Sequence, residues 1–195
     1  MYISLIKPLL DKIFVLLVLP FLLPIIIFVS ILIFFFDGFP IFFVQTRPGK
    51  DTKLFKLIKF RTMSFESQSA SISRVTKFGS FLRRLSIDEL PSLLNILIGH
   101  MSLIGPRPLL TEYLKSYDHN QIKRHNVLPG LTGLAQIKGR NSITWNEKFT
   151  YDLYYVENVS FLLDIKIFFN SFLVLFNHKI INQNSESTME RFDEK

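Results

Sequence analysis

Cysteine is absent from this 195-residue chain, which excludes disulfides, thiolate nucleophiles and Cys-ligated zinc or iron–sulfur sites. Charge is absent from the 24 residues between Ile13 and Phe36, a run bounded by Lys12 and Asp37. No Walker or Rossmann glycine spacing occurs, so neither of those nucleotide-binding loops is present. His100, His119, His125 and His178 show no metal-ligand spacing, and the single Trp145 reads as a packing residue. Acid is the scarcer charge. With 23 Lys and Arg against 16 Asp and Glu the chain carries +7, which favours an anionic partner: nucleic acid, lipid headgroups or a phosphate-bearing substrate. Nucleic acid is disfavoured, because many of the 21 phenylalanines sit in or beside apolar runs instead of alternating with basic residues as a stacking surface would. No nucleic-acid motif is present either.

What is present begins with the apolar N-terminus. A straight helix over residues 13–36 would reach about 36 Å, which exceeds a hydrocarbon core of roughly 30 Å. The run is too long for a signal peptide, and Phe34-Phe-Phe-Asp37 lacks a small-residue cleavage site, so the segment is expected to stay attached. Pro20 and Pro24 each remove a backbone donor near its middle and predict a sharp bend. Two topologies follow: a kinked span, or a helix that enters, turns at the prolines and leaves by the same face. Arg47, Lys50, Lys53, Lys56, Lys59 and Arg61 follow the segment, against Lys7 and Lys12 before it. That bias places the rest of the chain in the cytoplasm under either topology.

Beyond the membrane segment, Ile41-Phe-Phe-Val-Gln45 and residues Leu54 to Arg61 are rich in β-branched and aromatic residues and predict a short hairpin around a turn at Arg47-Pro-Gly-Lys-Asp51. The serine-rich stretch from Ser64 to Ser73 reads as a mobile surface loop. Phe78, Phe81, Leu82 and Leu85 fall at i, i+3, i+4 and i+7, a helical period, with Lys77, Arg83 and Arg84 on other faces. Such a helix either packs on the core or rests on anionic headgroups. Further helices are expected from Ser86 to Ile98, from Thr111 to Asn126 and from Leu162 to Phe176. The last is apolar enough to be core or membrane-lying. The division is 1–37 for the membrane helix, 38–176 for one compact domain, and 177–195 for a polar tail expected to be disordered.

Two adjacent acids, Asp88 and Glu89, stand in Ser86-Ile-Asp-Glu-Leu-Pro91. One reading is a capping box, in which Ser86 and Glu89 each satisfy a free amide of the first helical turn. The other is chemical: a carboxylate at a helix N-terminus stays ionised, and ionised it binds a hard divalent cation or attacks phosphorus. An adjacent Asp and Glu suffice for Mg²⁺ when phosphate oxygens complete its shell. Glu89 cannot easily cap and also bind metal, so its role stays open. Gly105-Pro-Arg-Pro108 fixes Arg107 between two prolines, suited either to a bidentate phosphate contact or to a rigid turn with a surface arginine. Pro129-Gly-Leu-Thr-Gly133 followed by Lys138-Gly-Arg-Asn141 is turn-rich and basic, and suits a diphosphate cradle with Arg140.

The order of these elements is more specific than any one of them. The apolar N-terminus with its prolines, Phe43-Val-Gln45 with Arg47-Pro-Gly49, Lys59-Phe-Arg-Thr-Met63, Ser86-Ile-Asp-Glu-Leu-Pro91, Met101-Ser-Leu-Ile-Gly-Pro-Arg-Pro108, Pro129-Gly-Leu-Thr-Gly-Leu-Ala-Gln136 and Gly139-Arg-Asn141 together resemble the bacterial sugar transferases, the monotopic polyprenyl-phosphate phosphoglycosyl transferases. The resemblance covers residues 1 to 176 and is greatest to the small, catalytic-domain-only members of N-linked protein glycosylation. It implies a mainly helical α+β fold: a re-entrant membrane helix broken at Pro24, a small hairpin, and amphipathic interfacial helices around one cytoplasmic-face catalytic domain of a bacterial inner-membrane enzyme. The implied reaction moves a sugar 1-phosphate, with Mg²⁺, from a UDP-sugar such as UDP-N,N′-diacetylbacillosamine to undecaprenyl phosphate and releases UMP. By the same resemblance Asp88 is the nucleophile, Glu89 assists through metal or hydrogen bonding, and Arg83, Arg107, Arg140 and Lys59 lie near phosphate or nucleotide. In the family a Ser-Pro pair marks the helix break, where this chain has Leu23-Pro24 and an extra Pro20. The rival from another class is a non-catalytic membrane scaffold whose acids only cap a helix and whose arginines bind anionic lipid.

Overall fold

The computed structural model describes residues 1–64, 75–139, 142–176 and 192. A π-helical turn (Tyr2–Ile6) leads into helix α1 (Lys7–Asp37), which stays helical through both Pro20 and Pro24. Neither proline ends it, so the expected break at Pro24 is not a break in helical structure. Each proline costs one backbone hydrogen bond, while contacts along one face and at both ends hold the helix.

Strands β1 (Phe42–Pro48) and β2 (Leu54–Phe60) form an antiparallel hairpin in which Phe42 faces Phe60 and Pro48 faces Leu54. Its turn sits later than the sequence suggests, over Lys50–Thr52, with Arg47 and Pro48 still in β1. Helix α2 (Lys77–Arg84) is capped by Thr76, whose Oγ1 accepts from the Gly79 amide. A 3₁₀ turn (Ile87–Ser92) then runs into helix α3 (Leu93–Leu97), with Pro91 inside the turn. The expected helix from Ser86 to Ile98 is therefore two pieces.

Strand β3 (Ser102–Ile104) pairs in parallel with β4 (Gly130–Thr132). Between them, the helix expected from Thr111 to Asn126 is instead two 3₁₀ turns, Thr111–Lys115 and Gln121–Asn126. The reason is Asp118, whose Oδ1 takes the amides of Asn120 and Gln121 at 2.7 and 2.8 Å and so restarts the chain. Helices α4 (Leu134–Lys138), α5 (Trp145–Glu157) and α6 (Phe161–Phe176) complete a mainly helical α+β fold. Helix α5 opens with a full capping box from Thr144 and Glu147 that the sequence analysis did not assign.

Three apolar clusters form the interior, and two of them include α1. Val15 packs with Phe55, Leu57, Leu93, Ile96 and Met101; Val29 and Ile33 pack with Phe60 and Leu82. The third joins Ile104, Val127, Leu134, Tyr155 and Ile167, which makes α6 part of the core. Leu82 settles the core side of α2, while Phe81 on the same helix stays exposed. The other faces of α1 are apolar and bare. Only 11% of its most apolar stretch is covered, with Leu17, Phe21 and Phe28 among its exposed side chains. Apolar surface of that extent marks a membrane or protein interaction face, and the helix is long and apolar enough to cross a membrane.

Both ends of α1 are tied to the same body. At its start Lys7 Nζ donates to Asp164 Oδ2 at 2.7 Å, and Tyr2 and Tyr155 also donate to Asp164. One turn on, Asp11 accepts from the Ser102 hydroxyl at 2.5 Å and from the Leu103 amide. At the other end Arg61 donates to the carbonyls of Asp37 and Gly38, and Thr76 donates to the Asp37 carboxylate. The serine-rich stretch read as a loop lies outside the described residues except for Ser64, as does the tail except for Phe192. Phe192 packs against Tyr113, Tyr117, Trp145 and Phe149.

Candidate active site

The Asp88-Glu89 pair is positioned by the edge of β2. Asn95 donates from Nδ2 to the Lys56 carbonyl and accepts the Ile58 amide, while Ser92 donates to the Ile58 carbonyl at 2.7 Å. Asn95 and Ser92 are fully buried. These bonds satisfy an otherwise open strand edge with side chains and hold the 3₁₀ turn in register with Lys59. Lys59 Nζ then donates to Glu89 Oε1 at 2.6 Å, and Arg107 Nη2 reaches the same oxygen at 2.6 Å.

No capping box forms at Ser86. Its φ is +56°, a left-handed conformation, and its side chain caps nothing. Two charge-assisted bonds outweigh one to a neutral amide, so Glu89 turns toward Lys59 and Arg107. The scaffold reading of these acids loses its structural basis with the cap.

Arg83, on the last turn of α2, donates from Nε to Thr62 Oγ1 at 2.8 Å. Gly79 makes that approach possible, because a Cβ there would collide with the Thr62 carbonyl. Burial and then the Glu89 charge push the Asp88 carboxyl up to about 6, against the pull of Lys59, Arg107 and Arg83. Burial would also raise Glu89, but Arg107 and Lys59 outweigh it and hold that carboxyl well below the usual range. The two neighbours therefore differ in kind: Glu89 is a fixed anion between two cations, and Asp88, only 9% exposed, is a carboxylate whose proton is lost near pH 6.

Asp88, Glu89, Lys59, Arg83 and Arg107 all line one cleft of about 1070 Å³. Its apolar wall includes Phe14, Val18 and Leu22 of α1 with Phe168 and Phe172 of α6. One cavity thus joins a charged floor to the membrane helix. The fourth expected cation, Arg140, lies outside the described residues. Arg124 and Asp152, which no sequence motif marks, line the same cleft and pair at 2.7 Å, nearly without exposure. Arg124 also donates to the Arg107 carbonyl at 2.7 Å and so fixes the backbone that carries Arg107. The signal was an acid on the buried face of α5, in line with Phe149 and Tyr155, since a buried acid demands a partner. His125 serves structure: burial and the neighbouring Arg124 lower it to about 4, and its neutral Nδ1–H donates to the Gly49 carbonyl.

Among the described residues no set of three or more His, Asp or Glu gathers as a metal cage. Asp88 and Glu89 offer two carboxylates, a set that fits Mg²⁺ arriving with phosphate oxygens and water and not a site built wholly of protein.

A sequence profile describing bacterial sugar transferases matches residues 2–178 of the chain. The uncharacterized sugar transferase EpsL of Bacillus subtilis (strain 168) is 50% identical over 160 residues, which is 80% of this chain and 79% of that one. The exopolysaccharide production protein ExoY of Sinorhizobium fredii is 39% identical over 183 residues, 83% of this chain and 81% of its own length. The UDP-glucose:undecaprenyl-phosphate glucose-1-phosphate transferase of Xanthomonas campestris pv. campestris is 36% identical over 177 residues, 83% of this chain but 37% of that longer protein.

Proposed function

Because the chain belongs to the bacterial sugar transferase family, we propose that it moves a sugar 1-phosphate from a UDP-sugar to undecaprenyl phosphate through a covalent intermediate on Asp88, as the first membrane step of glycan assembly. The observation that carries this is the cleft itself. A nearly buried carboxylate lies among cations, in a cavity that is also lined by the apolar N-terminal helix.

In the first displacement an Asp88 oxygen bonds to the sugar-bearing phosphorus, and the bond from that phosphorus to the bridging oxygen breaks. The electron pair leaves with UMP, and no proton is needed. In the second, an oxygen of undecaprenyl phosphate attacks the same phosphorus and Asp88 regains its carboxylate. The kinetic signature is ping-pong. Lys59 and Arg107 face the charge that grows on phosphoryl oxygens, and Glu89 keeps both in place. Arg107 is 45% exposed, so its guanidinium has a face to offer a ligand while bonded to Glu89. Arg83 adds positive charge beside Asp88. Asp88 and Glu89 would hold a Mg²⁺ ion, which when bound supplies further neutralisation of the diphosphate.

The prenyl chain has a matching surface in Phe14, Val18, Leu22, Phe168 and Phe172, which line the same cleft as the acidic pair. The helix α1 is re-entrant in this reading. Supporting it, Lys7 and Asp37 at opposite ends both contact the catalytic body, whereas a spanning helix carries one end about 30 Å away across the hydrocarbon. The positive flank then sets that body on the cytoplasmic face.

The decisive experiment incubates the enzyme in membranes with a UDP-sugar labelled in the sugar and Mg²⁺. Label should remain on the wild-type protein at Asp88 until undecaprenyl phosphate is added. An Asp88→Asn protein as active as wild type would remove the intermediate. A screen of UDP-sugars for UMP release assigns the donor. The resemblance points to an N-acetylated amino sugar such as UDP-N,N′-diacetylbacillosamine, whereas the Xanthomonas relative is named for UDP-glucose.

A further inference from the structure

Arg47 lines the cleft without a salt bridge to any acid among the described residues. Arg47, near the end of β1, donates from Nη2 to Gln45 Oε1 at 2.6 Å and from Nη1 to the Pro108 carbonyl at a long 3.5 Å. Both acceptors are neutral, its Nε is buried with no hydrogen-bond partner, and among the described residues no carboxylate pairs with it. A half-buried guanidinium in that position is costly unless an anion completes it.

Its place in the cleft says which anion. The segment Gly105–Pro108 acts as a partition: Arg107 sends its side chain to Glu89, its carbonyl is held by Arg124, and the next carbonyl receives Arg47. Arg107 thus stands between the acidic pair and Arg47: its side chain bonds Glu89, the neighbour of Asp88, and Arg47 bonds the carbonyl next to its own. Displacement at phosphorus runs in line, with the leaving oxygen opposite the attacking one. If the reacting phosphoryl group sits between Asp88 and Arg107, its leaving group extends toward Arg47.

We propose that Arg47, with Arg107, forms the subsite for the phosphate of the leaving nucleotide, so that Arg47 acts in the donor half-reaction and not in the acceptor one. This rests on the two-step reading above. As the bridging bond breaks, the electron pair passes to the nucleotide phosphate, which becomes a dianion. Arg47 supplies the charge that receives it. At rest, burial and then the Arg107 charge lower Arg47 to about 10, still cationic at neutral pH, and a dianion between the two guanidiniums relieves that repulsion. The chemistry recognised, a phosphate monoester dianion, belongs to UMP and to polyprenyl phosphate alike.

The two half-reactions separate the sources. Full-length wild-type and Arg47→Gln proteins in detergent are given labelled UDP-sugar, and the rate of covalent labelling and its inhibition by UMP are measured. Labelled protein is then freed of nucleotide and chased with undecaprenyl phosphate. The expected result is a fall of about 30-fold or more in labelling efficiency and a comparable weakening of UMP inhibition. The chase rate should stay within about threefold of wild type, and Arg47→Lys should recover part of the labelling loss. Only labelled molecules enter the chase, so a misfolded fraction does not contribute. A chase slowed as much as labelling would move Arg47 to the lipid phosphate and overturn the assignment. Unchanged UMP inhibition would overturn it as well. Absence of any label on the wild-type protein strikes instead at the two-step reading.

Discussion

Asp88 and Glu89 share a peptide bond and have opposite protonation behaviour. Asp88 is raised to about 6, so covalent labelling should fall as pH drops through 6, when the nucleophile takes up its proton. Pre-steady-state labelling between pH 5 and 8 checks this. The same shift affects stability. A carboxyl with a raised folded-state pKa binds more protons folded than unfolded between about 4 and 6, so its contribution to stability falls as pH rises through that window. Asp88→Asn, which is never charged, should therefore melt higher than wild type at pH 7.5 and converge with it near pH 4. Asp152 gives the contrary result. Its loss as Asp152→Asn leaves Arg124 buried without a counter-charge, at a cost of ~3–5 kcal/mol. The thermal midpoint should drop, and labelling with it, because Arg124 holds the Arg107 carbonyl. Of these residues the acidic pair, Lys59, Arg83 and Arg107 were legible as motifs. Arg124 and Asp152 were not, because they lie 28 positions apart and meet only when the chain folds back.

Elements whose signal is local were read from the chain, and those that need a distant partner were not. The period of α2, the apolar run of α6 and the β-rich runs of the hairpin each lie within one short window. The pairing of β3 with β4 joins three-residue strands across a long intervening segment, and no local pattern announces it. The segment between Thr111 and Asn126 has helical composition, yet Asp118 competes for its amides. Ser86-x-x-Glu89 and Thr144-x-x-Glu147 are the same pattern, and only the second becomes a cap, because only the first has Lys59 and Arg107 within reach. At this scale Gly79 is the sensitive point. Gly79→Ala should push α2 off Thr62, costing roughly 1–3 kcal/mol. The donor half-reaction should slow by more than the melting point predicts, since Arg83 moves with the helix. Comparing labelling rates at a temperature where both proteins are folded separates the two effects.

For the molecule as a whole, hydropathy predicted a membrane helix but not how it is held. The anchors at its two ends, Asp164 with Lys7 and Arg61 with the Asp37 carbonyl, come from parts of the chain far apart in sequence. The absence of cysteine makes topology directly measurable: a single Ser4→Cys should resist an impermeant thiol reagent applied to intact cells and react once they are opened. Labelling from outside would indicate a span. In the re-entrant reading proposed above, α1 is an unbroken helix fastened to one body at both ends and not a strut between two leaflets. A spanning helix answers a thicker bilayer by tilting. This one has no far anchor to tilt against, so the depth of the cleft is set by the near headgroup plane alone. Lengthening the acyl chains of a supporting nanodisc should accordingly leave turnover unchanged, and the same enzyme should serve membranes of different thickness.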